Sequence, residues 1–148
     1  MRLSLGPLQY FWPRERTLTF YREAVGAETT FLLRFKDSPE PPQEGCMAPG
    51  AENKVMHAAF KVGDTLIMAS DGRCEGRPSF QGFALTISVR DEAEADRVFE
   101  RLAQGGQVQM PLAKTFFSPR FGMLADRFGV MWMVIVPRAE IPTAAGRK

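Results

Sequence analysis

The 148-residue chain predicts an α+β protein built from two similar halves, each ordered strand–helix–strand–strand–strand. Three observations carry that reading. The run from Lys61 to Ser70 (KVGDTLIMAS) reappears in outline from Arg127 to Val136 (RFGVMWMVIV): a cation and an apolar residue precede a glycine, and a mostly apolar strand follows. Upstream of each run stand a strand, an amphipathic helix and a glycine break, at Gly26-Ala27 in the first half and Gly105-Gly106 in the second. The helices correspond at an offset of about 77–79 residues and the closing strands at 66, the difference being a loop at 36–53 that the second half lacks. Insertions between repeats fall in loops, so the unequal offsets fit duplication of one whole unit.

The elements follow in order. Residues 8–12 are apolar and aromatic and read as a first strand, and Pro13 then opens a helix, where its missing N–H costs little. From 14 to 25, Leu18, Tyr21 and Val25 recur at helical spacing, with Phe20 and Ala24 widening the same face, until Gly26 ends the helix. Residues 29–35 are β-branched and aromatic and give a second strand. The stretch 36–53 holds four prolines, Gly45 and Gly50 without a period, and reads as a long loop. Strands at 55–62 and 65–70 then form a hairpin turning at Gly63-Asp64.

A polar, Gly/Pro-containing join at 71–81 leads into the second half. Residues 83–89 alternate: Phe83, Leu85, Ile87 and Val89 share one face, and Ala84, Thr86 and Ser88 the other. Asp91 with Glu94 forms a capping box for a helix whose inward stripe is Ala95, Val98, Phe99 and Leu102. Gly105-Gly106 stops it, and strands at 107–112, 122–126 and 130–136 complete the unit. The expected organisation is one domain with modules at about 6–70 and 82–137, followed by a fraying tail at 138–148 that contains Pro142.

Composition narrows the function classes. Hydrophobic residues make up 45% and charged residues 24%, as in ordinary soluble globular proteins. Nineteen Lys+Arg against seventeen Asp+Glu leave +2, and the cations interleave with acidic residues instead of forming the stripe that a nucleic-acid surface needs. No apolar run approaches the ~18–20 residues that span a bilayer, and the first nine residues do not form a signal peptide. Cys46 and Cys74 lie in Pro/Gly-rich connections without metal-ligand spacing, which fits a reducing cytoplasm.

Several fragments, in this order and spacing, are similar to a known superfamily: Phe20-Tyr21 followed by Gly26-Ala27-Glu28, then Lys54 to Ala58 (KVMHA) with Gly63-Asp64. Met110-Pro111-Leu112 with Thr115-Phe116 come next, followed by Phe121-Gly122, Asp126 to Gly129 (DRFG) and Trp132. They span roughly residues 8 to 137 and resemble the PhnB-like branch of the vicinal oxygen chelate superfamily, which includes glyoxalases, extradiol dioxygenases and bleomycin- or fosfomycin-resistance proteins. The resemblance implies two βαβββ modules forming a curled eight-stranded mixed sheet around a cleft, often completed by a homodimer. Relatives of this branch carry a ubiquinone-pathway methyltransferase label. Methyl transfer from S-adenosylmethionine usually requires a Gly-rich turn after a strand, and the glycine pairs here follow helices instead.

In metal-dependent members of the superfamily, His and Glu on the first and last strand of each half hold a divalent ion. Transferred to this chain, those places fall at Ala84, near Gly6, Pro7 or Leu8, and at Ile67 and Met133. None is a donor for a hard cation, and one histidine in the whole chain precludes a two-His facial triad within it. The expectation is therefore no metal and no cofactor.

If Ala84 faces the cleft, so do Thr86 and Ser88, joined by Ile67, Met131 and Met133, by Tyr10 if the first strand follows suit, and by His57 and Phe116. That is a modest apolar pocket with a few hydroxyls, suited to a small organic ligand. His57 is the one side chain that titrates near neutrality and is either an acid–base group or a hydrogen-bonded strand residue. The 115–118 segment is either a lid or a dimer contact, and Trp132, opposite in face to Met133, packs under a helix.

The first functional expectation is a cytoplasmic, homodimeric, metal-free binder of a small organic molecule in the cleft, with neither nucleic acid nor membrane as partner. One alternative is a lyase, isomerase or dioxygenase using His57 or a metal, and another is a structural dimerisation module.

Overall fold

The computed structural model describes residues 2–3, 9–11, 15–40, 50–71 and 80–139. Pro13, Cys46, Cys74, the Gly6–Pro7–Leu8 position, most of the 71–81 join and residues 140–148 lie outside the described residues. Two units emerge, one formed by residues 6–79 and the other by residues 1–5 and 80–148.

The first unit contains β2 (Gln9–Phe11), α1 (Glu15–Val25), β3 (Glu28–Arg34), β4 (Val55–Val62) and β5 (Thr65–Ser70). Helix α1 ends where Gly26 turns left-handed (φ 68°) and donates its N–H to Arg22 O at 3.1 Å. A glycine at this position satisfies an orphan carbonyl without a Cβ clash. The 36–53 loop begins and ends in single 3-10 turns, Phe35–Asp37 and Ala51–Asn53. The sheet runs β2-β5-β4-β3, with β2 parallel to β5 and the other pairs antiparallel. Tyr21 of α1 stacks on Phe60 of β4, ring centroids 6.2 Å apart and both buried, so the row containing Phe60 faces the helix.

The second unit contains β1 (Arg2–Leu3), β6 (Leu85–Ser88), α2 (Glu92–Ala103), β7 (Gln107–Ala113), β8 (Phe121–Ala125) and β9 (Met131–Ile135), with sheet order β1-β6-β9-β8-β7. Helix α2 buries Ala95, Val98, Phe99 and Leu102 against β7, β8 and β9, as its 3.6-residue period requires. Beneath it lie Ile87, Gly122, Leu124, Trp132 and Val134, all buried. A side chain at Gly122 would meet Phe99 Cε2 at 2.7 Å, so this glycine sets how closely α2 approaches the sheet.

Among the described residues nine strands form two mixed sheets of four and five, where the resemblance implied a single eight-stranded one. The added strand is β1, whose two residues pair antiparallel with β6 (Arg2↔Ser88, Leu3↔Ile87). Two residues carry no period, so this segment reads from sequence only as a lead-in. No helix among the described residues is long and apolar enough to cross a membrane.

Duplication is visible in the backbone. Gly105 (φ 73°) ends α2 as Gly26 ends α1, 79 residues earlier. The strand that follows the helix in each unit carries a register shift at the same place, between Thr29 and Phe31 in β3 and between Val108 and Met110 in β7, again 79 residues apart. Conserving a bulge within a duplicated unit is the behaviour of a built-in feature.

Two carboxylates hold local structure. Asp91 Oδ1 caps α2 by accepting from Glu94 N at 2.8 Å. The reciprocal half of the box differs from expectation. Glu94 Oε2 accepts from the backbone N–H of Arg90 at 2.8 Å, one residue beyond the cap, and from its guanidinium at 3.2 Å. The Arg90 N–H first, and then its guanidinium, outweigh burial and hold the Glu94 carboxyl below the usual carboxylate range. Asp126, also buried, anchors the β8–β9 hairpin: Oδ1 accepts from Phe128 N (2.9 Å) and Val130 N (3.1 Å), and Oδ2 from the indole N–H of Trp132 (2.9 Å).

Two measurements check these roles. Asp126→Asn keeps one carbonyl acceptor for the turn but sets an amide N–H against the Trp132 N–H, and a cost of about 2 kcal/mol in urea unfolding is expected. An unchanged urea midpoint would show that the hairpin does not depend on this carboxylate. Glu94 has its folded pKa below the unfolded one, so its contribution is complete above the unfolded value and is lost as pH falls through the folded value. Glu94→Gln should cost about 1 kcal/mol at neutral pH and progressively less as pH falls through the lowered folded pKa of Glu94. A pH-independent difference between the two proteins would refute the assignment.

Candidate functional site

A β-sheet covered by a helix on one face leaves the other open, and register states which residues share it. In the second unit, Gly122, Leu124, Trp132 and Val134 lie under α2, so the alternate residues form the open face. One row crosses four strands: Thr86 pairs with Met133, Met133 with Met123, and Met123 with Met110. The next row joins Ser88, Ile135, Phe121 and Ala113. Met131 pairs with Ala125 on the same face, and Ala84, half-buried just before β6, falls there by alternation. Thr86, Ser88, Met123, Met131, Met133 and Ile135 are all half-buried, as expected of a sheet face without a packed helix.

In the first unit, Ala58 and Phe60 lie toward α1, and Phe31, Ala59, Met68 and Gln9 form the matching open row. Two expected site residues therefore change place. Ile67 pairs with Phe60, on the helix side, and Tyr10 pairs with Ala69, in register with that same side. Met68 and Gln9 occupy the open-face register instead.

The cause is turn length. The β4–β5 hairpin closes at Val62↔Thr65 around two residues, whereas in the β8–β9 hairpin Asp126 N donates to Val130 O around three. Met133 thus stands four residues after Gly129, and its counterpart Met68 five residues after Gly63. Counting a fixed distance from the glycine slips the register by one, which moves the side chain to the opposite face.

His57 pairs with Leu33 on the open face of the first unit, half-buried, its ring 5.7 Å from that of Phe31. Phe116 is 68% exposed and heads an aromatic stack through Phe117 (5.1 Å) to Phe121 (5.0 Å), the last of which sits in an open-face row. The 115–118 turn is pinned: Thr115 N donates to Ser118 O at 2.9 Å, and Arg138 Nη1 to Phe116 O at 2.9 Å. The Ser118 hydroxyl lies 2.8 Å from both Arg120 O and Val136 O.

Within each unit, the residues at the registers expected of metal ligands are not donors for a hard cation: Ala84 and Met133 in the second unit, and Met68 in place of Ile67 in the first. A thioether is a poor partner for hard or borderline divalent ions. Among the described residues no three His, Cys, Asp or Glu side chains converge. Sequence reasoning missed Met123; strand pairing, which no single-strand pattern reveals, is what brings it in.

The fold is similar to that of a glyoxylase/bleomycin resistance protein/dioxygenase domain. A domain of that description from Frankia sp. superposes with a TM-score of 0.60 at 14% identity, covering 91% of this chain and 98% of the other. Residues 15–135 match the family described as 3-demethylubiquinone-9 3-methyltransferase, and the chain belongs to that family, whose members are PhnB-like. Protein PA1353 from Pseudomonas aeruginosa is 37% identical, with a TM-score of 0.74 over 90% of this chain and 98% of that one. A PhnB protein from Bacillus cereus is 28% identical, with a TM-score of 0.68 over the same shares.

Proposed function

We propose that this protein binds a small, neutral, largely apolar organic molecule on the helix-free faces of its sheets, without a metal. The observation that carries the reading is the row Thr86–Met133–Met123–Met110. Three thioethers side by side on adjacent strands make an adaptable, polarizable surface, and Thr86 and Ser88 add hydroxyls at its margin. β6, β8 and β9 carry no Lys or Arg, so a phosphonate or carboxylate would meet no counter-charge from these strands. Sequestration of such a molecule needs only the shape and chemistry of these faces.

The family description names a methyltransferase, but the glycine breaks of this chain, Gly26 and Gly105, terminate helices. They do not supply the Gly-rich turn after a strand that S-adenosylmethionine sites usually employ. A lyase, isomerase or dioxygenase remains a second reading because His57 shares the open face of its unit. Under that reading His57→Ala abolishes turnover while leaving ligand affinity nearly unchanged.

The test uses the neutral fluorescent probe N-phenyl-1-naphthylamine with the intact chain. Saturable binding is expected, reduced roughly tenfold or more by Met123→Trp and by Met133→Trp, because a bulky ring fills the row where a ligand would lie. Circular dichroism checks that both variants fold. Absence of saturable binding, or equal affinity in the folded variants, refutes the pocket. A saturable response to S-adenosylmethionine would instead support methyl transfer.

A further inference from the structure

On the open face of the second unit, Phe121 is out of keeping with its neighbours. Register puts it there, paired with Ile135 and Ala113 and two residues before Met123 along β8. Yet it is 9% exposed, whereas Ser88, Met123, Met133 and Ile135 around it are half-buried. Phe117 lies against it, ring centroids 5.0 Å apart and planes at 73°. Phe116 follows at 5.1 Å from Phe117 with planes at 86°, and is itself exposed. The 115–118 turn thus folds over the end of the open face and finishes it in an aromatic wall.

That wall stands beside the thioether row. Two residues along a strand separate Phe121 from Met123 by about 6.5–7 Å, and Met133 pairs with Met123 on the next strand. Phenyl rings and thioethers are groups that treat an aromatic ligand differently from a saturated one. A ring gains from offset or edge-to-face contact with a second ring, and a sulfur from contact with a ring edge, in each case beyond the area buried. The wall is also held in advance of any ligand, by Thr115 N donating to Ser118 O and by Arg138 Nη1 donating to Phe116 O, both at 2.9 Å. At the far end of the Phe121 row, two strands away and so at about 9–10 Å, stands the hydroxyl residue Ser88. Two fused rings carrying one hydroxyl span that distance.

We propose that this corner takes a planar aromatic molecule, its rings set between Phe117 and the Met123–Met133 pair and its hydrogen-bonding substituent toward Ser88. The inference rests on the binding function proposed above and names its ligand class. Between aromatic ligands of one size, the hydroxyls decide.

Calorimetric titration of the intact chain with 2-naphthalenemethanol and with its decahydro counterpart tests it, since the two share a carbon skeleton and an aliphatic hydroxyl. The saturated compound has more apolar surface, so a face that recognises area alone binds it at least as tightly. The aromatic compound is expected to bind about fivefold or more tightly. Met123→Leu and Phe117→Leu, which keep apolar bulk, should each bring the two affinities toward parity in variants that circular dichroism shows to be folded. Equal affinities in the native chain, or tighter binding of the decahydro compound, overturn the inference and leave the apolar binding function standing. An undiminished preference in both folded variants also overturns it. Binding of neither compound overturns the two together.

Discussion

A helix can cover only one face of a four- or five-stranded sheet, and most of this protein's organisation follows from that constraint. In the second unit, the contact between Phe99 and the position of Gly122 fixes which face α2 occupies, and Trp132, Leu124, Val134 and Ile87 then become fully buried beneath it. Alternation does the rest. Every residue paired across from those four is on one side, and every intervening residue is on the other. The candidate site is therefore the complement of the core, defined by what the helix leaves uncovered.

That logic explains what the sequence made legible and what it hid. The helices, with stripes such as Ala95, Val98, Phe99 and Leu102, were readable because burial imposes a 3.6-residue period over three turns. The alternation of residues 83–89 correctly separated Thr86 and Ser88 from Ile87. The boundaries of β4 and β5 were readable because the glycine turn and β-branched residues coincide. The face of β5 was not readable. It depends on whether a hairpin contains two residues or three, and the two glycines that mark the turns look alike in sequence. Ile67 was given the wrong register for that reason, while Met123 required knowledge of a pairing between strands. The two residues of β1 gave no pattern at all.

The polar anchoring follows the same division. Asp126 lies at the end of β8 and spends its carboxylate inward, on two turn N–H groups and the indole of Trp132. It thereby ties the wider hairpin to the face packed under α2. The first unit's tighter two-residue hairpin has Gly63 at positive φ (58°), and the one carboxylate in that turn, Asp64, is exposed. A three-residue turn that needs a buried acceptor and a two-residue turn that does not are different solutions to reversing the same pair of strands. The register difference between the halves is their consequence. At α2, Glu94 reaches past its cap to Arg90, which fastens the chain between β6 and the helix instead of merely ending the helix.

The chemistry of the open faces argues against importing a reaction from the superfamily. Divalent-metal chemistry needs hard or imidazole donors converging from separate strands. This chain has a single histidine, and the paired positions of its strands carry thioether, methyl and hydroxyl groups. Replacing donors with methionines changes what a surface can recognise: charge and coordination give way to shape, dispersion and a few hydrogen bonds. Such a surface discriminates poorly between apolar ligands of similar size, since a methylene difference is worth only about 1–3 kcal/mol. For a ligand on the open face of the second unit, selectivity would then come from the hydroxyls of Thr86 and Ser88, the groups that lose a partner when the wrong ligand binds.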